Sequence, residues 1–146
     1  MRAFDHDYVN ELVIRLGKLR PDAKPAWGAM SAPEMLGHLV MALRYSMGEG
    51  AKRPVVGNWA TRNLMAPLIL NGILPIPKNV KLPRMDAPLP QADLETLHTV
   101  LEEYLSRVHT GDLDPPPHPM FGDIGVDGWA KMHVQHFEHH LKQFGV

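Results

Sequence analysis

The sequence contains no cysteine. That absence removes disulfides, a thiolate nucleophile and sulfur-ligated zinc together, so any metal would have to be held by His, Asp or Glu. Neither charge is in excess: 15 Lys and Arg stand against 16 Asp and Glu, for a formal charge of −1. No broad basic surface is available to neutralise phosphates, and nucleic acid is not an expected partner. The basic residues that cluster, Lys52-Arg53 and Lys78 to Arg84, are diluted by prolines and apolar residues, without the interleaved aromatics of a single-strand binder.

Long apolar runs are missing as well. The most apolar stretch, Leu64 to Pro77, is broken by Pro67, Asn71 and Gly72, well short of the roughly 20 residues that span a bilayer. The opening stretch carries Asp5, His6, Asp7 and Glu11 where an export signal would be apolar, so a cytoplasmic setting with no membrane partner is expected. Sustained period-two alternation, the mark of strands, is absent too.

What remains is ordinary globular material, 146 residues with 45% hydrophobic and 21% charged side chains. This suits one domain over residues 1–146. Helical spacing appears four times. From about Asp5 to Leu19, Tyr8, Val9, Leu12, Val13, Leu16 and Leu19 form one stripe that Pro21 ends. Ser31-Ala32-Pro33-Glu34 opens the second helix with a capping-box pattern, and Met35, Leu36, Leu39, Ala42, Leu43 and Met47 continue it toward Gly48. The third runs from about Gln91 to His109 and exits at Gly111. The last covers about Val126 to Phe144, after the turn-rich loop Asp112 to Gly125. Between the second and third, residues 52–90 carry Pro54, Pro67, Pro75, Pro77, Pro83, Pro88 and Pro90, a long crossover in which Trp59 to Leu70 suits a short helix. The expected fold is an all-α bundle of four main helices with that crossover.

The last helix concentrates the chemistry: His133, His136, His139 and His140 fall within eight residues. At about 100° per residue, Trp129, Met132, Phe137, Leu141 and Phe144 form an apolar side, opposite Lys131, Gln135, Glu138 and Lys142. With His136 at zero, His140 and His133 lie inside the apolar arc at roughly 40° and 60°, and His139 near its edge at about −60°. Three imidazoles therefore point at the core, where each unsatisfied group costs on the order of 1–3 kcal/mol. His136 and His140, four apart, can converge on one ion. The His-Glu-x-x-His zinc-protease pattern does not fit, because Phe137 follows His136. A third ligand should come from a facing helix, and His38 is the best placed. Two histidines from one helix and one from another would leave coordination positions open, as in catalytic zinc sites. Hydrogen-bonded core histidines are the alternative. His133 suits a supporting role and His139 a solvent-facing one; His6, His98, His109 and His118 follow no convergent pattern and are read as surface or turn residues. Glu34, Tyr45 and Gln143 lie near the ligand faces and could orient a substrate or a proton. Met120 and Phe121 could line a pocket mouth, though turn packing also accounts for them.

On WGAMSAPEMLGHLVMA around His38, HPMFG at 118–122 and the stretch from Trp129 to Gly145, the chain resembles the DinB-like superfamily of four-helix bundles, within it a branch whose domain has no assigned function. The resemblance implies a divalent metal held by one histidine of the second helix and an H-x-x-x-H pair of the last, by position His38, His136 and His140. Zinc or nickel is the expected ion, with iron and copper compatible. It also implies a hydrolase or a thiol S-transferase acting on a small-molecule substrate, with a low-molecular-weight thiol among the candidate partners. A non-catalytic metal- or ligand-binding bundle used for sensing or storage, and a structural homodimer, are the competing readings. The Gly125-Val126-Asp127-Gly128 start of the last helix departs from the Ser or Thr cap of its relatives.

Overall fold

The structure is a computed structural model that describes residues 1–80 and 88–146. Among the described residues it is all-helical, with five α-helices and no strand. The helix break expected at Pro83 and most of the Lys78 to Arg84 basic run lie outside the described residues.

Helix α1 spans His6–Leu16, where Asp5 accepts the Tyr8 amide as its cap. It stops three residues before Leu19, because Gly17 and its neighbours turn back on the Val13, Arg15 and Leu16 carbonyls. Helix α2, Ala32–Ser46, starts where the sequence pattern put it: Ser31 and Glu34 complete both halves of the capping box. The short helix of the crossover begins near Trp59, passes through a π-helical stretch at Thr61–Met65 and continues as α3, Ala66–Leu70. Pro67 has no N–H for an i→i−4 bond, and just before it the ladder widens, with the Ala66 amide reaching the Thr61 carbonyl. Helix α4, Leu94–Thr110, begins later than Gln91 because the Asp93 carboxylate accepts the Thr96 amide and sets the first turn there. Helix α5, Gly125–Phe144, follows Ile124 without a side-chain cap, although Asp123 accepts the Gly125 amide.

Helices α1, α2, α4 and α5 share one apolar core. Tyr8, Leu12, Met35, Leu39, Leu43, Leu97, Leu101, Tyr104, Phe137 and Leu141 are almost wholly shielded from water within it. Glu138, on the polar side of α5, faces α1, where Tyr8 Oη and Arg15 Nη1 both donate to Oε1 at 3.0 Å. No helix among the described residues is long and apolar enough to cross a membrane.

The crossover is laid against the outer faces of α2 and α5. Helix α3 packs on α5, and Leu70 joins Trp129 and Met132 in a second apolar cluster that Tyr45, Ile76 and Phe121 border. Two glycines permit the closest approaches. A Cβ at Gly37 would stand 1.9 Å from the Pro90 carbonyl oxygen, and one at Gly57 would stand 1.8 Å from that of Met120. Backbone bonds hold both places: Ala92 donates to Pro33, and Val56 and Gly57 donate to Pro119. A chamber is left between the crossover and the α2–α5 face.

Candidate metal centre

The histidine spacing on α5 and the register of α2 bring three rings together. His38 Nε2 lies 2.8 Å from His136 Nε2, and His140 Nε2 lies 3.1 Å from the same atom. One nitrogen from each ring falls within 4.8 Å of the others, so the group could hold a metal ion. At the usual zinc to imidazole distance of about 2.0–2.1 Å, two ligand nitrogens on one ion stand about 3–3.4 Å apart; the 3.1 Å separation falls in this range and the 2.8 Å one just below it.

The tautomer at His140 is set by its surroundings. Gln143 Nε2 donates to the Trp27 carbonyl at 2.8 Å, which turns Gln143 Oε1 toward His140 Nδ1 at 2.7 Å. The carbonyl oxygen can only accept, so Nδ1 carries the proton and Nε2 offers its lone pair to the centre. The Gln143 backbone carbonyl accepts the Ala26 amide, and the segment 26–27 is thereby tied to the end of α5. Among the described residues His38 Nδ1 has no partner.

Burial keeps these rings neutral. It pushes His38 down to about 3 and His140 to about 4, the latter partly offset by the Gln143 hydrogen bond, and it holds His136 well below the ordinary imidazole value. Neutral imidazole is the form that binds metal, so no proton has to be displaced near neutral pH.

His133 is not part of this group. Ser46 Oγ donates to the Leu43 carbonyl at 2.7 Å and so accepts from His133 Nε2 at 2.8 Å. The ring sits edge-on to Tyr104 and tilted against Phe4 and Trp129, as a core residue with one polar tie to α2. His139 differs from the solvent-facing reading. It is half-buried, edge-on to Trp27 at 5.4 Å, because the 26–30 segment folds over that edge of α5. His118 is in a turn as expected, but its ring packs inward on Phe121 and Trp129, and Nδ1 accepts the Met120 and Phe121 amides.

The triad forms part of the wall of a cavity of about 740 Å³. Met120 and Phe121 line it, and so do Glu34, Tyr45 and Gln143. Glu34 is engaged in the α2 cap, while Tyr45 Oη accepts the Arg53 amide at 3.1 Å. Sequence reasoning missed Trp27, Arg53, Ile69 and Ile76 as wall residues. Their helical periodicity is weak or absent, and only the path of the loops places them there.

Replacing Gln143 with Leu keeps the shape while removing both hydrogen bonds. Zinc affinity, read by competition with a chromogenic chelator, is expected to fall about 10–100-fold with little loss of bound stoichiometry at saturating metal.

Fold and site together define an all-helical protein with a three-histidine group able to hold a metal ion. The chain matches, over residues 1–145, the family described as protein of unknown function DUF1569, and it belongs to that family. Neither the curated proteins nor the solved structures contain a match to it.

Proposed function

We propose that this chain is a single DinB-like four-helix bundle domain with a long crossover, and that it is a divalent-metal-dependent enzyme using His38, His136 and His140. The observation that carries this reading is the convergence of three Nε2 atoms on the wall of a chamber large enough for a small-molecule substrate. A buried structural cluster would not need an adjoining cavity. A divalent ion held there supplies Lewis acidity, lowering the pKa of a water or a thiol at its open positions.

The chain's own residues do the rest. Gln143 fixes the His140 tautomer, crossover residues form part of the chamber wall, and Tyr45 braces the Arg53 backbone beside it. Glu34 is the one carboxylate among the described wall residues, and its Oε1 accepts the Ser31 amide at 3.4 Å in the α2 cap. A thiol gives up its proton far more readily than water does, so thiol transfer to an electrophile asks less of these wall residues than hydrolysis.

Zinc- or nickel-loaded protein, assayed with a low-molecular-weight thiol and an aryl halide or epoxide, should turn over above the rate of metal-free protein. Ester hydrolysis without thiol should be slower. If the loaded protein binds metal yet accelerates neither reaction with any of several such substrates, the non-catalytic binding module becomes the better reading.

A further inference from the structure

The chamber wall has a marked composition. Five of the nine methionines, Met30, Met41, Met65, Met120 and Met132, line it, with Ile69, Trp129 and Phe121 among the other apolar residues. Unbranched thioether side chains adapt to varied apolar shapes, which suits a hydrocarbon body more than a sugar or a nucleotide. Against this wall stand only two formal charges among the described lining residues, Glu34 and Arg53. Glu34 is engaged in the cap, whereas Arg53 is half-buried and has no carboxylate within ion-pair distance among the described residues. Its neighbour Arg44, by contrast, is paired with Glu49 at 3.2 Å.

Arg53 and the three histidines line the same chamber. Lys78 Nζ, 4.3 Å from the centre of the Trp27 ring, adds a second cation beside a wall residue. A half-buried guanidinium without an anion among the described residues, in the wall of an apolar volume, is an arrangement that recognises a carboxylate carried on a hydrophobic molecule.

We propose that the chamber takes an apolar organic anion whose carboxylate pairs with Arg53 while its hydrocarbon body lies along the methionine-rich wall, with the reacting end toward His38, His136 and His140. This rests on the proposed metal-dependent activity only for the last clause. Recognition by Arg53 does not depend on a metal.

The test uses decanoate and decanol, titrated into metal-free and zinc-loaded protein carrying Trp59→Phe. Trp59 is 65% exposed, so its removal leaves Trp27 and Trp129, both in the chamber wall, as the fluorescent reporters. Decanoate should shift their emission and bind about tenfold or more tightly than decanol in the metal-free protein. Arg53→Gln should reduce decanoate to the decanol level while leaving decanol unchanged, and Arg53→Lys should restore part of the preference.

Equal affinities for acid and alcohol would overturn the proposal. So would equal weakening of both by Arg53→Gln, which marks a structural role, or heat of binding without a change in emission, which places the ligand elsewhere. A preference for the acid that appears only after zinc loading assigns the carboxylate to the ion and removes Arg53. A preference kept in metal-free protein stands even where the three histidines prove to hold no metal.

Discussion

His136→Ala protein, purified without an affinity tag, is expected to contain almost no divalent metal where the native chain holds about one ion. The reason is positional. Only His136 Nε2 is within about 3 Å of both other nitrogens, so its loss separates His38 on α2 from His140 on α5. The affinity loss should exceed the 10–100-fold expected for a supporting residue such as Gln143. His38→Ala and His140→Ala should follow closely, each leaving a two-nitrogen set. His133→Asn should keep its metal, because that ring is tied to Ser46 and is not one of the three that converge. Elemental analysis of the four variants beside native protein measures all of this. Full metal content in His136→Ala, or equal loss in His133→Asn, would show that the convergent nitrogens are a hydrogen-bonded core cluster and not a binding site.

Acid should unfold this protein early. His133 is 1% exposed and burial pushes it down to about 3, and burial likewise lowers His38, His136, His140 and His118. In the unfolded chain these rings titrate near the ordinary value of about 6.5. Between that value and the folded ones the unfolded state binds more protons, so stability rises with pH there. The contribution is complete above about pH 6.5 and is lost progressively as pH falls from there toward 3. Each unit of separation is worth about 1.4 kcal/mol, and a few rings acting together rival the 5–15 kcal/mol that holds an ordinary domain folded. Thermal midpoints measured from pH 8 to pH 4 should therefore be level at first and then drop steeply below about 6.5. Bound zinc should raise the midpoint at neutral pH and keep its effect until the pH nears the folded values of about 3 and 4 of His38 and His140, where protons begin to compete for the same lone pairs. A midpoint unchanged down to pH 4 would mean that the histidines are not held neutral by burial.

Much of the site was legible in the chain. The i,i+4 spacing of His136 and His140 put two rings on one face, and the Ser31-to-Glu34 cap fixed the register of α2 closely enough to select His38. Helical geometry is local, so a sequence period carries it directly. The ends of α1 and α4 were less legible, because they depend on which single side chain captures a free amide, Asp93 in the case of α4. His139 was misjudged for a related reason: a wheel shows the helix alone, and the 26–30 segment that covers this edge has no periodicity to announce it.

The sequence alone determined the helical class, the absence of sulfur ligands and the three histidines to examine. Tertiary structure decided that their Nε2 atoms meet, that His133 turns to Ser46 instead, and that the crossover and the α2–α5 face together line a chamber with Arg53 and five methionines in its wall. Those decisions rest on contacts between residues far apart in the chain, such as Gly37 with Pro90 and Gly57 with Met120, where the lack of a side chain allows two backbones to touch. No local pattern records such a meeting, because the energy that fixes it arises only after both segments have folded.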